Sequence, residues 1–165
     1  MIAIVNGNPR ADSRTGRLAH AVGNGIADRL HIADRRSIDL ASLGYRLLVA
    51  GDVSRKIALT AIEEAESLVV ATPTYKGSYT GILKVLLDAL PSGGLAGKVA
   101  IPLVTAGTPA QADGAADKLV DLLSELGATV PGPALAVTES ALGDLDSLAA
   151  DLVDRAIGAL APQSA

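Results

Sequence analysis

The chain has 165 residues, of which 49% are hydrophobic and 19% charged, and its formal net charge is −4. This length is most simply one domain, residues 1–165, with a single substantial core. The negative charge gives no general attraction to nucleic acid or to anionic membranes, and the absence of cysteine excludes disulfides, thiolate metal sites and cysteine nucleophiles.

The start of the chain shows no basic n-region and no long apolar h-region, and the sequence contains no run of 18 or more apolar residues. We therefore expect a cytoplasmic protein that neither crosses nor binds a membrane. Phenylalanine and tryptophan are absent, so the core must be aliphatic and a tyrosine in a loop is informative. Residues 162–165 look like a loose tail.

Apolar runs of strand length alternate with segments of helical period. We expect strands at residues 2–5, 37–40, 68–71, 99–104 and 135–137, and helices near residues 15–30, 53–65, 79–90, 115–126 and 145–160. Five βα units predict an α/β fold, a five-stranded parallel sheet with helices on both faces. With right-handed crossovers, this suits the flavodoxin-like doubly wound order 2-1-3-4-5. Pro102 lies inside the fourth strand and predicts a bulge or irregular pairing there.

The loop after the first strand is typical of an anion site. Ser13 and Thr15 supply hydroxyls where a helix should begin, and Arg10 and Arg14 flank that point. A helix N-terminus presents unpaired N–H groups and the positive end of a dipole, which favours a phosphate. The loop lacks the Gly-x-Gly-x-x-Gly of dinucleotide folds and the Lys-Ser/Thr of the P-loop, so a terminal monophosphate fits better. The same residues also suit a simple helix cap with a solvated arginine.

The loop after the third strand lies at the point where the strand order reverses. Pro73 shapes it, Tyr75 offers an aromatic surface with a polar tip, and Ser78 is placed to cap the next helix. In an alternative interpretation, Tyr75 and Tyr79 are packing residues and Lys76 is solvated. The fourth strand ends in a loop of small residues, 105–107, which lets a flat ligand approach the backbone.

These loops carry a family resemblance. Residues 7–15, 73–81 and 105–107 resemble, in order, the phosphate loop, the P-x-Y flavin loop and the T-G-G loop of the NAD(P)H-dependent FMN reductases in the flavodoxin-like superfamily. The similarity spans most of the chain. Two departures are Asn8 in place of serine and Ala106 in place of glycine, and the region after residue 107 is shorter than in the sulfonate-linked reductases.

The resemblance implies FMN as cofactor and NADPH or NADH as electron donor. It places the following residues at the cofactor: Asn8, Arg10, Ser13, Arg14, Thr15, Pro73, Thr74, Tyr75, Lys76, Thr105, Ala106 and Gly107. The residues at 10, 13, 14 and 15 would hold the phosphate, and those at 73, 75 and 76 would line the isoalloxazine. Backbone N–H groups near 105–107 would stabilise charge at the ring. The flavin carries the chemistry, so no catalytic protein residue is required, with Tyr79 and Lys76 as candidate modulators.

Within that family, residues 86–91 and 97–103 look closest to the reductases that supply reduced FMN to sulfonate monooxygenases. The resemblance therefore implies an NAD(P)H-dependent FMN reductase with a flavin-dependent monooxygenase as partner. Three alternatives stay open. They are a quinone, azo-dye or metal-ion reductase that keeps its FMN, a flavodoxin-like electron carrier, and a flavin-binding protein without enzymatic activity.

The helix near residues 79–90 is apolar nearly all round, so one sheet face should not cover it. A homodimer or homotetramer interface is the economical explanation. No metal site is expected, because the acidic residues at 63, 64 and 66 and the two histidines lack ligand spacing.

Overall fold

The computed structural model describes residues 1–161, so the expected tail at 162–165 lies outside the described part. The strands are β1 (Ile2–Asn6), β2 (Arg35–Asp39), β3 (Ser67–Pro73), β4 (Val99–Ala106) and β5 (Leu135–Thr138). The α-helices are α1 (Arg14–Arg29), α2 (Leu40–Leu43), α3 (Val53–Glu64), α4 (Gly81–Leu87), α5 (Pro109–Glu125) and α6 (Leu145–Leu160). Two short 3-10 helices, Gly44–Leu48 and Glu139–Gly143, complete the set.

The five strands form one sheet in the order β2-β1-β3-β4-β5, and every neighbouring pair is parallel. The predicted strand order is therefore confirmed. The order reverses between β1 and β3, so the helices that follow these strands lie on opposite faces of the sheet and leave a crevice where ligands bind in such sheets.

Helices cover both faces of the sheet because the side chains of the central strands alternate between two cores. Ala3 and Val5 of β1 join one core with the buried residues of α3, α4 and α5. Ile2 and Ile4 join the other with α1 and α6. Strands buried on both faces must be apolar throughout, which explains the unbroken hydrophobic runs. No helix within residues 1–161 is long and apolar enough to cross a membrane.

Several boundaries differ from those predicted. Helix α5 begins at Pro109, earlier than the predicted residue 115, because Thr108 caps it and a proline is well suited to its first turn. Strand β2 begins at Arg35 and exposes its first three residues, so it carries little apolar signal. The segment from Leu40 to Leu48 was not predicted, because its helices are too short to show a periodicity.

Helix α4 is shorter than predicted and is covered by its own chain. It spans Gly81–Leu87, and the cap is Thr80, whose side chain accepts from the Leu83 N–H. Leu83, Leu86 and Leu87 are buried, in the same core as Leu47 of the first 3-10 helix. The sheet does not cover this helix alone, because the 3-10 helix that the sequence did not predict packs against it as well, and a subunit interface is therefore not needed to explain its apolar residues.

Pro102 is accommodated without a bulge in the pairing of β3 with β4, where it lies opposite Val70 in an unbroken register. The N–H of Ala100 donates to Thr129 on the other side of β4, and alternation points the nitrogen of Pro102 to that side as well. On that side Val99 pairs with Thr129, and regular pairing begins only at Leu103, which lies opposite Leu135. The irregular pairing is thus confined to the β5 side, where the missing N–H has no ladder partner to lose.

Candidate functional site

The loops after β1, β3 and β4 meet at the carboxyl edge of the sheet. They enclose a cavity of about 420 Å³, a volume typical of small-molecule sites. The predicted site residues that line it are Asn8, Arg10, Ser13, Arg14, Thr15, Pro73, Tyr75 and Thr105. The other predicted residues, Thr74, Lys76, Ala106 and Gly107, adjoin lining residues in the chain but lie outside its wall. Four further residues also line it and were not predicted, namely Ala11, Asp12, Glu139 and Leu142.

A larger groove of about 690 Å³ runs along strand β2 and helix α3, at the edge of the sheet. The N-terminus of α3 in this groove is already neutralised, because the Asp52 carboxylate accepts hydrogen bonds from Ser54 and Arg55 N–H groups. Helix α1 has no acidic residue in its first turn. The helix terminus available to an anion is therefore the one at the smaller cavity.

Ser13 is the N-cap of helix α1, as the sequence predicts. Its backbone is extended and its hydroxyl accepts a hydrogen bond from the Gly16 N–H at 3.1 Å. A Cβ on Gly16 would lie 2.5 Å from the Asn6 Nδ2 atom, so only glycine fits beneath the loop. The predicted cap is confirmed, and the N-terminal turn of α1 faces the cavity.

Two asparagines hold the loop in shape. The Asn6 side-chain oxygen accepts from the Asn8 N–H at 3.1 Å, and the Asn8 side-chain oxygen accepts from the Arg10 N–H at 2.9 Å. Both side chains are buried. These are Asx turns, in which a side chain replaces a backbone partner. Asn8, which stands where the resembled family has a serine, therefore organises the loop.

The Thr15 hydroxyl lies in a buried network below the loop. Its Oγ1 atom is 2.7 Å from Oγ1 of Thr105 and accepts from Asn8 Nδ2 at 3.3 Å. Thr15 is only 3% exposed and so is Thr105. These bonds tie the β1 loop to the end of β4. Thr15 thus lines the cavity with a hydroxyl that already has two partners.

The two arginines of the loop differ in their surroundings. The Arg14 guanidinium donates to the Glu139 carboxylate at 2.7 Å, and both side chains are about half exposed. Arg10 is exposed and makes no ion pair with any of residues 1–161. An exposed ion pair contributes at most about 1 kcal/mol, so an incoming anion can replace Glu139 as the partner of Arg14. The position of Glu139 just after a strand end is the one signal that could have identified it.

The chain after β3 makes a tight two-residue turn from Tyr75 to Ser78, here called the Tyr75 turn. The Tyr75 N–H donates to the Ser78 carbonyl at 2.9 Å and the Ser78 N–H donates back at 3.2 Å. Lys76 and Gly77 have φ values of 53° and 74°, the pattern of a type I′ turn. A lysine in this left-handed region costs about 1–2 kcal/mol. From helix α5, Lys118 Nζ donates to the Gly77 carbonyl at 2.6 Å.

Thr80 joins the Tyr75 turn to the β1 loop. Its hydroxyl donates to the Gly7 carbonyl at 2.6 Å, and its N–H donates to Thr72 Oγ1 at 3.1 Å. It also caps helix α4, the role that the sequence assigned to Ser78. That assignment was wrong because Ser78 is used in the turn. Serine and threonine have similar capping preferences, so sequence could not choose between them.

The remaining predicted residues border the cavity. The Thr74 hydroxyl is buried without a hydrogen-bond partner among the described residues, while its N–H donates to the Thr105 carbonyl at 2.8 Å. Ala106 is buried and Gly107 exposed at the end of β4. Tyr79 is half-buried and packs against the core of α4. On that helix, the hydrogen bond that Lys84 donates to Asp88 raises the pKa of Lys84, whose side chain is partly exposed and lies outside the cavity.

The donor set fits a flavin mononucleotide better than a metal ion. Within residues 1–161 no three histidine, aspartate or glutamate side chains are grouped so as to hold a metal ion. The N–H groups of α1 and the exposed Arg10 suit a phosphate. Tyr75, 43% exposed at the cavity, offers a ring for stacking, and the orphaned Thr74 hydroxyl between two lining residues suits a polar ring edge.

The fold and the cavity together define a flavodoxin-like α/β domain with a cavity at the topological switch point. The particular family follows from comparison with known sequences. A family model described as NADPH-dependent FMN reductase matches residues 1–141, and the chain belongs to this family.

Individual relatives agree with this placement. The chain is 55% identical over 49 residues to an FMN reductase (NADPH) from Escherichia coli (strain K12), covering 30% of this chain and 26% of that protein. It is 35% identical over 114 residues to the NADH-dependent FMN reductase SfnF from Pseudomonas putida, covering 65% and 59%. The matches thus span at most about three fifths of these curated relatives. A crystal structure of apo NADH:FMN oxidoreductase (EMOB) superposes with a TM-score of 0.80 at 33% identity, covering 99% of this chain and 90% of that one.

Proposed function

We propose that this protein is an NAD(P)H-dependent FMN reductase. The observation that carries the proposal is the pairing, in one cavity, of the N-terminus of α1, which has no acidic residue in its first turn, with the aromatic Tyr75 turn. The family and the named relatives support the same activity. Bound FMN would supply the chemistry by accepting a hydride from the nicotinamide at its ring nitrogen N5.

The residues of the chain then bind and orient. The N–H groups at the start of α1, the Ser13 region and Arg10 hold the phosphate, with Arg14 joining when it leaves Glu139. Pro73 and Tyr75 line the ring side of the cavity. Backbone N–H groups near Thr105, Ala106 and Gly107 stabilise negative charge on the ring. The buried network of Thr15, Thr105 and Asn8 keeps these loops in register before the ligand arrives.

Two measurements test the proposal. Aerobic oxidation of NADH and NADPH is followed with added FMN, FAD or riboflavin, and we expect turnover that prefers FMN. In flavin titrations, Arg10→Ala should weaken FMN by about 1.5–3 kcal/mol and leave riboflavin unchanged, because riboflavin has no phosphate. The control is Arg17→Ala, which removes an exposed arginine about one turn after Arg14 on α1. Equal losses for both flavins would remove the phosphate assignment, and no oxidation with any flavin would remove the activity.

We propose further that reduced FMN leaves the site for a flavin-dependent monooxygenase. One support is the resemblance of residues 86–91 and 97–103 to the reductases that supply reduced FMN to sulfonate monooxygenases. The other is that the cavity is open on the side of Tyr75, which is exposed. A reductase that keeps its FMN is the competing function. Flavin content after purification distinguishes them, since a leaving substrate is lost on gel filtration and a retained cofactor is not.

A homodimer or homotetramer also stays a proposal, although helix α4 no longer supports it. The observation in its favour is a set of exposed apolar side chains on the first 3-10 helix, the following loop and α3, namely Tyr45, Leu48, Val49, Val53 and Ile57. An apolar surface of this kind on a monomer is unusual. Sedimentation at micromolar concentration tests it, and a monomeric wild type would contradict it.

A further inference from the structure

The Tyr75 turn contains a lysine where its backbone favours another residue. Both central positions of a type I′ turn need positive φ, and Asn-Gly, Asp-Gly or Gly-Gly are the sequences that supply it. Gly77 meets this requirement, but Lys76 has a φ of 53° and a full side chain. A residue held in a disfavoured conformation at a ligand site points to a role beyond folding.

Nothing that the structure describes uses the Lys76 side chain. Its ammonium makes no hydrogen bond and no ion pair with any of residues 1–161, and the residue is exposed. The turn is held by its own backbone pair and by Lys118, which donates to the Gly77 carbonyl. Packing therefore does not account for the lysine.

The position of Lys76 restricts what it can contact. Tyr75 lines the cavity, and Lys76, the next residue, is exposed and lies outside the wall, which places it at the rim. Arg10 and the terminus of α1 already serve an anion inside the cavity. A second ligand that must reach a flavin in the cavity has to approach from the open rim. Both nicotinamide dinucleotides carry a pyrophosphate, and NADPH carries a further phosphate on its ribose.

We infer that Lys76 recognises a phosphate group of the nicotinamide electron donor as it approaches the flavin. The inference rests on the proposed function and names a residue that binds the donor. Lysine is suited to this as a mobile point charge on a long stem, whereas the planar arginine fork prefers a fixed bidentate partner. The unfavourable turn conformation is then the consequence of placing a cation at the rim.

The decisive variant is Lys76→Asn, because asparagine relieves the turn while removing the charge. We expect its thermal midpoint to rise by about 2–4 °C. Its KM for NADPH and its Kd for oxidised NADP⁺, measured by calorimetry on FMN-loaded protein, should rise about five- to twentyfold. The affinity for FMN should change less than twofold. Lys76→Arg should keep most of the donor affinity, and Lys56→Asn, an exposed lysine on α3, serves as the charge control.

Truncated donors identify which phosphate is involved. If Lys76 contacts the ribose phosphate, Lys76→Asn should raise the KM for NADPH but not for NADH. If it contacts the pyrophosphate, the substitution should raise both KM values. For 1-benzyl-1,4-dihydronicotinamide, which has no phosphate, Lys76→Asn should lower kcat/KM less than it does for NADH or NADPH. Equal losses with all three donors, a loss of FMN affinity, or unchanged donor constants would each overturn the inference. A wild type that oxidises no donor with FMN would instead remove the proposed function.

Discussion

The loop after β1 and the turn after β3 build the same cavity but are held in different ways. In the first, buried side chains of Asn6, Asn8 and Thr15 bond to one another, to the backbone and to Thr105. In the second, an exposed turn rests on its own backbone pair and on one solvated lysine from α5. Buried networks fix one geometry, whereas exposed contacts open readily. The end of the site proposed to hold the phosphate is therefore rigid, and the end proposed to hold the ring is adaptable.

The largest effect is expected at Thr80, where the two regions are joined. Thr80→Val removes the cap of α4 and leaves the buried Gly7 carbonyl without its donor, while the side-chain shape is kept. We expect the free energy of unfolding to fall by about 2–4 kcal/mol. Chemical denaturation measures it, with Thr60→Val on the exposed face of α3 as the control. Equal, small changes in both variants would mean that the two loops are not coupled through this residue.

A smaller loss is expected from Thr15→Val, which breaks the buried network on the rigid side. Thr105 Oγ1 and Asn8 Nδ2 lose their shared partner, which should lower the free energy of unfolding by about 1–3 kcal/mol. Thr15→Ser keeps the hydroxyl and should stay within about 1 kcal/mol of wild type. If Thr15→Val instead weakened FMN binding with unchanged stability, the hydroxyl would serve the phosphate directly, and the loop would be less preorganised than the contacts indicate.

On the adaptable side, Lys118→Met should loosen the Tyr75 turn without loosening the fold. A single exposed charged hydrogen bond contributes at most about 1 kcal/mol, so global stability should change little. Amide hydrogen exchange should become several-fold faster at Tyr75 and Ser78, yet remain unchanged at Gly7, whose N–H is bonded to Ala71. Lys56→Met should alter neither. Faster exchange at Gly7 as well would show that the two regions open together.

The rigid region was also the one that the sequence predicted better. Ser13 and the two arginines lie within nine residues of β1, and capping chemistry depends on local spacing, so the α1 terminus could be identified from that spacing alone. The fold was equally accessible, because apolar strands buried on both faces leave a clear pattern.

What sequence could not supply were contacts between residues far apart in the chain. The pairing of Thr15 with Thr105 joins residues 90 positions apart, and that of Arg14 with Glu139 joins residues 125 apart. Lys118 reaches the turn from a helix whose own pattern is ordinary for an exposed face. The positive φ of Lys76 was hidden for a different reason, since lysine is not a residue that marks such a turn.

The smallest effect is expected for the exposed ion pair of Lys84 and Asp88 on α4, just beyond the turn. Asp88 raises the pKa of Lys84 above its ordinary value of 10.5 through their hydrogen bond. A group with a raised folded pKa contributes stability that is present below its unfolded pKa and lost as the pH rises through the folded pKa. If the pair stabilises the fold, the free energy of unfolding of the wild type should therefore fall towards that of Asp88→Asn above about pH 10.

We expect the two stability curves to stay parallel between about pH 8 and pH 11, because both groups are solvated and screened. The geometry is also unfavourable. Lysine precedes the acid in the pair, the weaker of the two orders, and Asp88 places a negative charge at the negative end of the helix dipole. Convergence of the curves above about pH 10 would show that this exposed pair at the C-terminal end of α4 stabilises the fold.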